Sequence, residues 1–296
     1  MIPTLFSVSY AGLWGQARLD TVSFIRKAAE LGYRAVELMG KRPHLSVLEA
    51  SPERLAAVHD AARTAGVEIA TIAGYTDFTA GQTAAEVPCV EMQVAYVEGL
   101  ARMGAALGAK IVRVFTGYTA DVTAPQQDWN RCVAAIRECA AVAQGHGVVL
   151  GVQNHHDVAV GVDAYREFLH DVGHSNCRAM FDPWAPALHG DDLYECAKAM
   201  APHMVQTTLA DYVRLKRFVY RPGLINYEEV PGMVRAVPLS EGFVDLDAFF
   251  SGLKDGGFHG YVAYEMCSPL RGGGSIENLD GAAAKSLDVI RRLIAG

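Results

Sequence analysis

The stretch Gly151-Val152-Gln153-Asn154-His155-His156-Asp157 sets two carboxamides, two imidazoles and a carboxylate directly after the apolar run Val148-Val149-Leu150. A strand of that composition belongs inside a sheet, where polar groups are costly unless something pairs with them. Residues two apart on a strand share a face, so Gln153 and His155 point the same way, and His156 points away unless the strand has ended. An imidazole, with an ordinary pKa of about 6.5, suits general acid or base work. A carboxamide can lend its carbonyl oxygen but cannot take up a proton at ordinary pH. Further polar residues sit at the ends of other apolar runs: Glu37 in "YRAVELM", Arg113 in "KIVRVF", Asp182 closing "CRAMFD", Gln206 and Thr208 in "MVQTTL", Asp211 just beyond it, and Glu265 in "YVAYEM".

Such residues converge only if their strands lie side by side. The runs "TLFSVS", "YRAVELM", "VEIATIA", "KIVRVF", "VVLGVQ", "CRAMFD", "MVQTTL" and "YVAYEM" each suit a strand buried on both faces, with helical segments between them. Asp20 reads as the N-cap of the first helix, and Ser51-Pro52-Glu53 opens the second. Gly32, Gly66, Gly108, Gly147, Gly173 and Gly257 recur at the helix-to-strand turns, where a left-handed cap releases the chain. Eight strands alternating with helices predict an α/β fold, a (β/α)8 TIM barrel forming a single domain over residues 1–296. A doubly wound sheet shares the alternation but lacks its G-x-G-x-x-G fingerprint after the first strand, and "RGGGS" at Arg271 to Ser275 follows the last strand and reads as a loop. The stretch 213–244, basic and aromatic, breaks the rhythm and predicts a long loop insertion after the seventh strand, lying over the barrel mouth.

Composition narrows the partners. A net charge of −7 across 296 residues argues against nucleic acid or an anionic membrane. No apolar run reaches membrane-spanning length, and "MIPTLFSVSY" lacks the basic start of a signal peptide. The cysteines, Cys89, Cys132, Cys139, Cys177, Cys196 and Cys267, form no C-x-x-C pair and suit a reducing compartment, so a cytoplasmic protein is expected.

The chain resembles the xylose isomerase-like TIM barrels, a family of sugar and sugar-phosphate isomerases and epimerases with inosose dehydratase and endonuclease IV relatives. The likeness covers nearly the whole length. It rests on "LGYRAVELMG", "GVQNHHD", "MFDPWAPALHGDD", "LADYVR" and, most specifically, "VPLSEGFVDLDAFFSGLKDGGFHGYVAYE". The resemblance implies a divalent ion held by Glu, Asp, His and Glu from strands five to eight. Asp182 and Glu265 match the sixth and eighth. Gln153 stands where the Glu is expected, and Gln206 and Thr208 where the His is expected. The implied metal set is then Gln153, Asp182, Gln206 and Glu265, holding Mn, with Mg or Co as alternatives.

His155 becomes the candidate for the missing base or ligand, with Glu265 as its catalytic partner. Glu37 can bind a sugar hydroxyl or pair with Arg113 across the barrel; His156 and Trp184 can line the substrate, and Trp14 and Tyr10 can stack on a sugar ring. Arg214, Lys216, Arg217, Arg221 and Arg235 make the insertion basic, and Arg221 is a candidate clamp for phosphate or carboxylate. The expected activity is metal-dependent isomerisation or epimerisation of a sugar or sugar phosphate through an enediolate. A lyase, dehydratase or C-glycoside-cleaving enzyme is the first alternative. The second is a non-catalytic carbohydrate-binding barrel or hetero-oligomer subunit; a homo-oligomer also fits.

Overall fold

A computed structural model describes residues 1–82, 84, 86–119 and 122–296. Ten strands appear in chain order: β1 (Ile2–Phe6), β2 (Ala35–Met39), β3 (Glu68–Ala73), β4 (Ile111–Val114), β5 (Val149–Gln153), β6 (Cys177–Met180), β7 (Met204–Leu209), β8 (Asp211–Arg221), β9 (Asn226–Val237) and β10 (Tyr261–Tyr264). Eight of them close into a parallel barrel in the order β1-β10-β7-β6-β5-β4-β3-β2, while β8 and β9 form a separate two-stranded sheet. The helices are α1 (Thr21–Leu31), α2 (Pro52–Ala65), α3 (Cys89–Leu107), α4 (Pro125–Gly145), α5 (Val162–Val172), α6 (Trp184–His189), α7 (Leu193–Met200), α8 (Leu246–Asp255) and α9 (Ile276–Ala295). Each expected strand run overlaps a barrel strand, the first only over Thr4 to Phe6, and the TIM barrel is the architecture of the chain.

Local chemistry sets the boundaries. The Asp20 carboxylate accepts from the backbone N–H of Val22 and Ser23 and opens α1; the Ser51 hydroxyl accepts from Arg54 N and opens α2, with Pro52 in its first turn. All six glycines expected at the turns into strands have positive φ. At such a turn Gly32, with φ 90°, caps α1 by donating to the last-turn carbonyls of Ala28 and Ala29.

The strands bury both faces. Val36, Leu38, Val112, Val114, Leu150 and Val152 face the helical ring within the main core. Residues of the opposite parity face the barrel interior, where Phe6, Val8, Ala11, Met39 and Ala73 form a second apolar cluster with Tyr75 packed against it. That small cluster sits at the mouth ends of β1, β2 and β3, level with Arg113 and one inward step above Glu37 and Thr71.

The segment expected as a loop over the mouth is instead a β-hairpin, β8 against β9, with Asp211 opposite Val237 and Arg221 opposite Asn226. Its β-branched and aromatic residues favour paired strands. The register shifts between Leu215 and Arg217, opposite Pro231 and Gly232, where a residue without a backbone N–H is tolerated. At its base, Tyr212, Ala236 and Val237 are buried. The buried Asp211 carboxylate accepts from the N–H groups of Tyr212, Gly242 and Val244, so this strand-end acid pins the hairpin base. A Cβ at Gly242 would run into that carboxylate. Beyond Lys216 the outer half is exposed on both faces up to Glu229.

Candidate active site

Period-two alternation aims one set of side chains into the barrel: Glu37 from β2, Thr71 from β3, Arg113 from β4, Gln153 from β5 and Gln206 from β7, with Asp182 and Glu265 one residue or more past the ends of β6 and β10. Glu37, Arg113, Gln153, Asp182 and Gln206 are all at most 3% exposed, and Glu265 is half-buried. The first five form one connected network, with Glu265 beside it. The Arg113 guanidinium donates through Nη1 to Gln153 Oε1 at 3.0 Å and through Nη2 to the Gly74 carbonyl at 3.1 Å, and Nη1 lies 3.7 Å from Glu37 Oε1. Gln153 Nε2 donates to Asp182 Oδ2 at 2.8 Å. Across the barrel, Gln206 Nε2 donates to Glu37 Oε2 at 2.6 Å and Gln206 Oε1 accepts from Thr71 Oγ1 at 2.6 Å. Asn154 exchanges two bonds with the backbone of Asp182, so the amide beside Gln153 joins β5 to the end of β6. The Arg113 guanidinium also lies over Phe115, Tyr75 and Phe6, at 4.3, 5.0 and 5.1 Å from their ring centres.

Burial dominates the electrostatics. It pushes Glu37 up to about 7, against the opposing pull of Arg113 and the Gln206 hydrogen bond. It pushes Asp182 up to about 6, with the bond from Gln153 opposing, and Glu265 up to about 8, with Arg113 opposing and the charges of Asp182 and Glu37 adding. Three carboxyl groups of one barrel interior are thus raised toward neutral pH, which is the usual condition for moving protons there.

The other sequence candidates divide. β5 ends at Gln153, and His156 has φ 67°, so the two histidines lie on a turn and both face the mouth. His155 Nδ1 accepts from the His156 backbone N–H at 2.8 Å, and the His156 ring stacks on Tyr118 with 4.0 Å between centres. Burial first, then Arg113 for His155 and His155 for His156, pushes both imidazoles down to about 4. Trp184 packs on Tyr212, centres 4.0 Å apart, at the hairpin base. Arg221 does not reach the mouth. It lies at the exposed hairpin tip, paired with Glu228 at 2.5 Å, ten residues along a strand and so roughly 34 Å from the strand's start.

The sequence reading overlooked Phe115 and Tyr75, which continue the inward parity of β4 and β3 one step past their ends, and Lys41, whose Nζ lies 3.7 Å over the Tyr75 ring. Burial, then Arg113, pushes Lys41 down. Lys41, Tyr75, Phe115, Tyr118 and His156 line a cleft of about 480 Å³ beside the network, through which a ligand can approach it. A larger cleft, about 590 Å³, lies at the opposite end of the barrel between α5 and the start of β6, away from these groups.

The donor set can be tested against the divalent ion that the resemblance implies. Among the described residues no three His, Cys, Asp or Glu side chains group as a metal site. Arg113 has only donors, so it fixes the Gln153 amide with its carbonyl oxygen toward the guanidinium and its NH2 toward Asp182. Gln206 is committed likewise, its oxygen to Thr71 and its NH2 to Glu37. The two amide oxygens are therefore taken by a guanidinium and a hydroxyl, their NH2 groups by carboxylates, and the set does not fit a four-ligand ion.

The family model of the xylose isomerase-like TIM barrels matches residues 25–293, and the chain belongs to that family. Solved structures of similar shape include a D-psicose 3-epimerase from Clostridium cellulolyticum H10 with D-tagatose, at TM-score 0.77 and 16% identity over 99% of both chains. A probable 3-DHS dehydratase involved in petrobactin synthesis from Bacillus anthracis follows at 0.71 and 17%, over 98% of this chain and 99% of that one. A xylose isomerase-like TIM barrel protein from Mycobacterium smegmatis, solved in complex with magnesium, gives 0.68 and 17%, over 99% and 96%. At such identities the likeness establishes the fold. No curated protein matches the sequence significantly. Among the described residues no helix is long and apolar enough to cross a membrane.

Proposed function

We propose that this chain is an enzyme that isomerises or epimerises a sugar or a related polyhydroxylated carbonyl compound by moving the proton on the carbon next to the carbonyl. The observation that carries the reading is the pair Asp182 and Glu265, pushed by burial to about 6 and about 8 at one barrel mouth. Near pH 7 the first is mostly a carboxylate and the second mostly a carboxylic acid, so one can accept a proton while the other donates. Asp182 Oδ1, buried beside the backbone N–H groups of Trp184 and Ala185 and without a side-chain partner among the described residues, takes the α proton. The C–H electron pair becomes the double bond of an enediol as Glu265 gives its proton to the carbonyl oxygen. For an isomerisation Asp182 returns its proton to the neighbouring carbon while Glu265 takes the proton of the other enediol hydroxyl; for an epimerisation a proton from water reaches the other face of the same carbon, Glu265 takes back the proton of the enol oxygen, and Asp182 releases its own to water.

His155, a weak base at about 4, lines the mouth as a neutral imidazole in this reading. The divalent ion of the resemblance, whether Mn, Mg or Co, carries no step, because its expected ligands are occupied amides. The family membership and the epimerase among the similar structures support the substrate class. The test is proton exchange in D2O with D-fructose, D-psicose and D-tagatose, followed by NMR. Deuterium should enter at the carbon next to the carbonyl, and Asp182→Asn should slow that entry by about 10² to 10⁴-fold. Loss of water from a substrate would point to elimination, which begins with the same proton abstraction. Absence of exchange across a wider sugar panel would leave a carbohydrate-binding barrel.

A further inference from the structure

We propose that Arg113 is the permanent cation of this site, taking the place of a divalent ion, and that its free Nε–H receives an oxygen of the substrate. A guanidinium cannot lose its proton at any physiological pH, and here it is 2% exposed in the barrel interior. It is held on three aromatic rings, the Gly74 carbonyl and Gln153. Such fixation is what a group needs if it is to meet developing negative charge without reorganising.

The unpartnered atoms of the cavity describe its ligand. Among the described residues Arg113 Nε is a buried donor without an acceptor, Asp182 Oδ1 and Glu37 Oε1 are buried acceptors without a donor in hydrogen-bonding geometry, and the Thr208 hydroxyl is also free. A ligand offering one carbonyl or enolate oxygen to Arg113 and hydroxyl groups to the two carboxyls satisfies them together. The same cation explains the amides. An ion seated on Gln153 would share its oxygen with a guanidinium and stand beside Lys41, a second positive charge at the mouth. With glutamate at 153 the side chain would pair with Arg113; with glutamine it relays between Arg113 and Asp182 without adding charge.

The catalytic half of this inference rests on the proton-transfer reading, but ion binding can be measured without turnover. The chain, stripped with chelator, is titrated with MnCl2 alone by calorimetry and by thermal shift. Wild type should show no saturable site below about 1 mM, and Gln153→Glu, which keeps Arg113, should also show none. Arg113→Gln combined with Gln153→Glu should gain one Mn per chain, at least about tenfold tighter than any residual wild-type binding. One Mn per wild-type chain, or per Gln153→Glu chain, overturns the proposal. So does a folded double variant that takes up no ion; if that variant does not fold, wild type and Gln153→Glu decide. A wild-type chain that binds no Mn and also exchanges no deuterium sinks the proposed function while leaving Arg113 as the site's cation.

Discussion

Gln153 shows how one side chain can be structural and positional together. Its amide satisfies a buried guanidinium on one side and a buried carboxylate on the other. Truncation to alanine would leave both without that partner, and an unpaired buried group that bonds to a charge costs about 1.5 to 3 kcal/mol. Gln153→Ala should therefore lower stability by roughly 3 kcal/mol, read as a drop in the urea midpoint; a change below about 1 kcal/mol would mean that water replaces the amide. The residue was legible in the sequence as inward-facing, because parity on β5 needs only the strand. Its partner was not, since the contact to Arg113 joins positions 40 residues apart and depends on barrel register, with Arg113 beside Gly151. Phe115 and Tyr75 escaped notice for a related reason: inward parity persists past the hydrogen-bonded strand, where a strand pattern gives no signal.

The barrel strands and their caps were readable because each has a local cause, such as Asp20 for α1 or Gly66 for the end of α2. The hairpin was not. Both faces of its outer half are solvated, so apolar and polar residues do not alternate there, and "RFVYRPGLINYEE" carries no period-two mark of a strand. What specifies it is pairing between β8 and β9, anchored by Asp211 at the base. Replacing residues 215–233 by a two-residue turn should leave the melting temperature within about 3 °C, because exposed segments contribute little to the core. Gly242→Ala, at the anchored base, should cost more than the whole outer half. A collapse of the melting transition on removing the outer hairpin would show that it packs against a second chain in solution.

The buried ionisable groups also impose a pH dependence on the whole molecule. Glu37, Asp182 and Glu265 are raised by burial to about 7, 6 and 8, so their contribution to stability is complete below the ordinary carboxyl range and is lost as pH climbs through those values. His44, His155 and His156 are lowered by burial to about 4, from an ordinary 6.5, so theirs is complete above 6.5 and is lost as pH falls toward 4. Between about pH 5 and 6 three carboxyls and three imidazoles oppose one another, and stability should be nearly flat. Above about pH 6.5 the opposing share of the imidazoles fades as the unfolded chain loses its own imidazole protons, and the carboxyls dominate. The melting temperature should then fall from about pH 6.5 to 8, and Glu37→Gln, which removes one of the three without adding charge, should reduce that fall. A melting temperature that rises through this interval would mean that Arg113 compensates the carboxyls more strongly than burial opposes them. The three acids would then be ionised together at neutral pH, and the division of acid and base between Glu265 and Asp182 would be lost.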